Sequence, residues 1–149
     1  MTKIINRISE IFHKYDTIVF DQWGVLHDGR IPFEGTIECL NNLKKSNVKL
    51  ALLSNSGKRS QPNAERIVKM GFSSALFDVI MTSGEALWSD ISSNTINEKK
   101  FFPIERNSGD AKVWAESLDI ILENSIHSAQ AILLTVSYTH LRAHETRIH

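Results

Sequence analysis

The sequence predicts an α/β fold, a Rossmann-like, three-layer arrangement with a parallel sheet between layers of helices. Three observations carry that expectation. Short, apolar, β-branched-rich runs alternate with segments whose apolar residues recur at helical spacing. Two of the runs, Ile18-Val19-Phe20 and Val48 to Leu53, are nearly all apolar, as strands covered on both faces must be. Both end abruptly in polar, Gly-containing loops, where an open parallel sheet forms its ligand crevice.

The elements follow in order. Ile4, Ile8, Ile11 and Phe12 share one helical face and predict a first helix from Lys3 to Lys14. Asp16 leads into a strand from Thr17 to Phe20, followed by the loop Asp21-Gln22-Trp23-Gly24-Val25-Leu26-His27-Asp28-Gly29. Ile31-Pro32-Phe33 is extended, because Pro32 offers no N–H to a helix and biases Ile31 away from one. A helix starts at Gly35 or Thr36, buries Ile37, Leu40 and Leu43, and ends at Lys44, Lys45 and Asn47. Its terminal lysines suit the negative end of the helix dipole.

Val48 to Leu53 is the second strand, and Ser54-Asn55-Ser56-Gly57-Lys58-Arg59 the turn after it. Pro62 opens and Gly71 closes the next helix, with Ala64, Ile67 and Val68 pointing inward. Phe77 to Met81 is a third strand. Thr82-Ser83-Gly84-Glu85 caps a helix whose apolar face is Leu87, Trp88 and Ile91. After a polar connector, Phe101 to Ile104 is a fourth strand, with Pro103 marking an exposed edge. Ser108-Gly109-Asp110 starts a short helix holding Val113 and Trp114. Leu118 to Leu122 reads as strand in preference to continued helix, and Ala131 to Thr135 as a last buried strand.

The chain's 149 residues suffice for one domain with its own core, and its 42% hydrophobic and 23% charged content is that of a soluble globular protein. Seventeen basic residues balance seventeen acidic ones, which argues against a broad nucleic-acid or anionic-membrane surface. The single cysteine, Cys39, allows no internal disulfide and gives no zinc cluster; on an apolar helix face it is core filler. No apolar run reaches transmembrane length, and Asn6, Arg7, Ser9 and Glu10 interrupt the isoleucines that a signal-peptide core would need. The expected location is the cytoplasm.

Chemistry concentrates at two strand ends. Asp21 is the first residue carried out of the core, so it can be a nucleophile or a metal ligand, or more plainly a turn cap. The turn from Ser54 to Arg59 offers hydroxyls and backbone N–H groups to an oxyanion, although such a composition also makes an ordinary surface turn.

Taken together, these stretches resemble the haloacid dehalogenase (HAD) superfamily of hydrolases, and within it the class IIA branch of phosphatases. The resemblance rests on IVFDQWGVLHDG at 18–29, PFEGTIECLNNLKK at 32–45, LALLSNSGKRS at 50–60 and FDVIMTSGEAL at 77–87. It implies that residues 1–135 are the N-terminal part of a HAD-like core, left incomplete. It also implies that Asp21 attacks phosphorus and, with the backbone carbonyl of Trp23, binds Mg²⁺. Ser54 would hold the transferring phosphoryl group, with Asn55, Ser56 and Lys58 completing the phosphate site of a small phosphorylated metabolite. The family's later lysine, acidic Mg²⁺-binding pair and cap domain are expected beyond this chain, which on its own is then nearly inactive. Trp23 occupies the position where the common pattern has a second aspartate, the general acid and base, and a tryptophan exchanges no proton. His27 or Asp28 is the expected substitute if the loop folds back. The alternatives are a catalytically inactive, phosphate-ligand-binding HAD-like protein, or a dehalogenase-type C–X hydrolase, whose branch also lacks the second acid.

The end of the chain, Ser137 to His149, carries His140, His144 and His149 with little periodicity. Val136 to Thr146 resembles the conceptual translation of a sequencing adaptor, so residues 136–149 are expected to be a non-native read-through tail and not a metal tract.

Overall fold

The structure, a computed structural model, describes residues 4–135, so the expected tail lies outside the described residues. Within that range the chain forms two compact units. One holds residues up to Ser54 together with Asn63–Met81; the other holds Asn55–Pro62 and everything from Thr82 onward.

The first unit is organised around β1 (Thr17–Asp21) and β2 (Lys49–Ser54), paired in parallel with Asp21 opposite Leu53. β3 (Val79–Thr82) lies on the far side of β2. Alternation along the strands turns Leu50 and Leu52 into the core with Ile18, Phe20 and Ile80. Leu40 and Leu43 from α1 (Thr36–Lys45) and Ile67 from α2 (Ser60–Lys69) pack against them. Lys44 at the end of α1 grips both carboxylate oxygens of Asp78 at 2.6 Å. Asp78 also exchanges backbone-directed hydrogen bonds with Leu50, which fixes where β3 meets β2. The opposite face of this sheet carries Val19, Leu53, Val79 and Met81, each between 37% and 59% exposed.

The second unit holds α3 (Ser83–Ser92), β4 (Lys100–Ile104), α4 (Asp110–Trp114), β5 (Ile121–Leu122) and β6 (Ala131–Leu134). Its strands form a second sheet, β5-β4-β6, parallel throughout. Its own core is Ile91, Phe101, Ala111, Trp114 and Leu133. The class is α/β with parallel pairing, as expected, with the strands shared between two three-stranded sheets.

Four local expectations change. The N-terminal helix is two 3₁₀ turns, Ile8–Glu10 and Phe12–Lys14, separated by Ile11 at φ −130°. Its β-branched isoleucines favour a helix weakly, and so short a segment gains little from propagation. α2 begins at Ser60, so Pro62 sits inside the first turn, where a missing N–H has no intrahelical partner to lose. Its inward positions are Asn63 and Ile67, while Val68 is exposed. Pro103 lies on the central strand β4 and not on an edge. The Phe101 carbonyl points toward β5, so Pro103 two residues on points the same way, past the end of that two-residue strand, where no ladder bond is lost.

Candidate active site

Asp21 is exposed at the carboxyl tip of β1, and the Gln22 N–H donates to its Oδ1 at 2.6 Å, orienting the carboxylate. The chain turns immediately afterwards at Gly24, whose φ of +80° is a left-handed conformation that a side chain would strain. The loop is then laced to itself. Leu26 N–H donates to Gln22 O, Gly24 N–H to His27 O and Phe33 N–H to Leu26 O. Buried Gln22 accepts from Asn63 Nδ2 at 2.9 Å, and Arg66 donates to the Gly29 carbonyl at 2.9 Å, so α2 braces the loop at two points. Trp23 is 59% exposed, with its indole over Gly29.

Neither expected substitute for the missing second acid is placed to work as one. His27 is 1% exposed, and its Nδ1 accepts from the Gly29 N–H at 2.9 Å. Burial and the Arg66 charge hold its pKa below the ordinary histidine value, so the ring is neutral near pH 7. Asp28 accepts from the N–H groups of Arg30 and Ile31 through Oδ1. Those bonds keep its pKa below the ordinary carboxylate value, the wrong protonation state for a general acid. It is the turn cap of this loop.

Ser54 ends β2, one residue beyond the register partner of Asp21. The pleat sends the two side chains to different faces: Asp21 continues the open row of Val19, and Ser54, 8% exposed, continues the core row of Leu52. Both stand at the same carboxyl edge on neighbouring strands, which run about 4.8 Å apart. Asn55, Ser56 and Lys58 follow Ser54 and belong to the second compact unit, Asn55 and Lys58 exposed and Ser56 half-buried.

In that unit the turn is tied to the start of α3. Thr82 is 1% exposed; its hydroxyl donates to the Lys58 carbonyl at 2.6 Å and accepts the Glu85 N–H at 2.9 Å. Gly84 N–H donates to the Ser56 carbonyl at 3.0 Å, and a Cβ on Gly84 would collide with the Gly57 carbonyl. Glu85 receives the Arg59 guanidinium in a two-bond fork, 2.7 and 2.9 Å, and the Ser60 N–H at 2.8 Å. The Arg59 guanidinium holds the Glu85 pKa below the ordinary carboxylate value, and its other face lies 3.8 Å over the Trp88 ring. Within the stretch Thr82 to Glu85 that was expected to cap this helix, Thr82 is the N-cap residue. Arg59, Glu85, Gln22 and Asn63 were missed as site-building residues. Their partners lie 25 to 41 residues away, and no local pattern signals them.

The Asp21 carboxylate and the Trp23 carbonyl are two oxygens of the kind Mg²⁺ takes, but they are only part of a six-oxygen shell. Among the described residues no cluster of three or more His, Cys, Asp or Glu side chains could hold a metal ion. Nor is any helix among them long and apolar enough to cross a membrane.

Parallel strands that carry a carboxylate at one tip and a serine at the next define an α/β protein with its polar loops at the carboxyl edge of the sheet. The chain belongs to the haloacid dehalogenase-like hydrolase family, whose model matches residues 18–116. Among solved structures it is similar to a haloacid dehalogenase-like hydrolase from Brucella suis 1330, with a TM-score of 0.74 and 22% identity over 89% of this chain and 46% of that one. A hypothetical protein from Pyrococcus horikoshii OT3 matches with a TM-score of 0.50 and 30% identity over 66% of this chain and 38% of that one. A NipSnap protein of Caenorhabditis elegans is 43% identical over 72 residues, 46% of this chain and 14% of that protein. The chain thus spans less than half the length of each of these relatives.

Proposed function

We propose that this chain carries the nucleophile and phosphate-loop part of an Mg²⁺-dependent phosphohydrolase acting on a small phosphorylated metabolite. The observation that carries the reading is that β1 and β2 end at one carboxyl edge, with the Asp21 carboxylate exposed there and the polar turn leaving from Ser54, whose own side chain turns to the packed face. An Asp21 oxygen attacks phosphorus, the ester P–O bond breaks, and the leaving alcohol takes a proton from water. Water then attacks the phosphorus of the aspartyl phosphate, releasing phosphate and restoring the carboxylate. In the turn after Ser54, Asn55, Ser56 and Lys58 supply donors and positive charge to the phosphoryl oxygens. Mg²⁺, when bound, offsets the repulsion between carboxylate and phosphate; Asp21 and the Trp23 carbonyl are the residues here that would contribute to holding it.

The test is turnover of an aryl phosphate by the complete protein encoded by the parent gene, with and without Asp21→Asn. Loss of a nucleophile is expected to lower kcat by at least about a thousandfold. Equal rates remove Asp21 from the mechanism.

Trp23, the sealed His27 and the turn-capping Asp28 favour a second reading, a family member that binds a phosphorylated ligand without turning it over. It predicts calorimetric binding of phosphorylated metabolites with no phosphate release. Release of halide from a haloacid would instead identify a dehalogenase.

A further inference from the structure

We propose that Glu85 and Arg59 are positioning residues for the phosphate-binding turn, a clamp that fixes the backbone of Ser56 to Ser60 on the first turn of α3. The inference rests on the phosphohydrolase reading for what the turn binds, but the clamp itself is read from contacts within one compact unit.

A turn that binds an anion through backbone N–H groups must hold them convergent before the anion arrives, because ordering the segment at binding costs affinity. This turn is short, polar and glycine-containing, and the bond within it from the Lys58 N–H to Ser56 Oγ is a weak one at 3.2 Å. The structure supplies the order from outside. Residues 56, 58, 59 and 60 are each attached to Thr82, Gly84 or Glu85 by a hydrogen bond of 3.0 Å or less. Gly84 completes the arrangement by having no side chain, which lets the Gly57 carbonyl close on the helix start.

The clamp also sorts the two adjacent cations. Both Arg59 donors directed at Glu85 are engaged, and its face is stacked on Trp88, so its charge is neutralised in place. Lys58 beside it is exposed and is the cation left to meet a phosphate. Arg59 therefore acts on the turn and Lys58 on the ligand, a division that the sequence Lys-Arg does not reveal.

The experiment uses inorganic orthophosphate as probe and the complete protein encoded by the parent gene, followed by amide resonances. In the unsubstituted protein, orthophosphate is expected to shift the amides of Asn55 to Lys58. The double variant R59A/E85A leaves net charge unchanged, so loss of affinity reports geometry and not electrostatics. It is expected to raise the orthophosphate Kd at least fivefold and to speed amide exchange of Gly57, Lys58 and Ser60 at least tenfold, with β1 and β2 amides unchanged. R59K, which keeps an ion pair with Glu85, is expected to stay within threefold of the original affinity. E85Q keeps the shape of the side chain and is the fallback if the double variant does not fold; it is expected to weaken binding at least threefold. Shifts in the unsubstituted protein with undiminished affinity in R59A/E85A, or in E85Q where it is the variant used, overturn the clamp alone. No orthophosphate shift in the unsubstituted protein overturns the phosphate reading of the turn and the positioning role with it.

Discussion

Trp23 stands two residues after the proposed nucleophile, where the family resemblance leads one to expect the general acid and base, and lies open to solvent over Gly29. No neighbouring group is placed to replace it, because His27 is sealed and Asp28 is spent on the turn. A turnover that proceeds without general acid help depends on leaving groups that need no proton. Trp23→Asp in the complete protein is therefore expected to raise kcat for alkyl phosphates by about a hundredfold to ten-thousandfold, with a much smaller gain for nitrophenyl phosphate. Similar gains for both substrates would contradict this. His27 leads to a second expectation. Its folded pKa is depressed, so the unfolded chain binds the proton more readily, and stability present above the ordinary histidine pKa of 6.5 is lost as pH falls. Replacing it with Gln is expected to flatten the dependence of Tm on pH between 7.5 and 5.5; an unchanged slope would remove His27 as its source. At this scale the sequence placed Asp21 and Ser54 at strand tips, because the apolar runs stop there. It could not tell that His27 is buried, since burial is set by residues distant in sequence.

Helix α3 shows what local chemistry makes legible and what it does not. Thr82, Gly84 and Glu85 were readable as a cap because an N-cap oxygen and the N3 amide it accepts are three residues apart in any sequence. The second bond of the Thr82 hydroxyl, to the Lys58 carbonyl, spans 24 residues and leaves no periodic trace. The same distinction explains Pro103: its ring suggests an edge, and only the pairing of β4 with a two-residue β5 shows that a central strand can hold it. Because Thr82 is buried and serves both bonds, Thr82→Val is expected to destabilise the chain by about 1–2 kcal/mol. Thr82→Ser, which retains the hydroxyl, is expected to lose less than half of that. Denaturant midpoints at constant slope provide the comparison, and equal midpoints for the two variants would show that the hydroxyl contributes nothing.

For the molecule as a whole, alternation of strand and helix correctly gave the α/β class and parallel pairing, but periodicity says nothing about which strands are neighbours. That is why one expected sheet became β1-β2-β3 and β5-β4-β6, each with its own core. The near-continuous apolar runs also implied two covered faces. In β1 and β2 one face is packed by α1 and α2, while Val19 and Leu53 lie exposed on the other, joined by Val79 and Met81 from β3. The sequence was therefore written for a sheet covered more fully than the described residues cover it. An exposed row of apolar side chains on a sheet promotes association, because burying it removes roughly 25 cal/mol per Å² of unfavourable hydration. The 149-residue chain is accordingly expected to self-associate at micromolar concentrations. Placing lysine at both Val19 and Val79 puts two like charges on that face without touching the packed one or the tips at Asp21 and Ser54. Sedimentation velocity should then show a concentration-dependent coefficient for the original chain and a constant, monomeric one for V19K/V79K. A monomeric original chain, or a variant that associates as readily, would mean that this face is not the surface through which the chain associates.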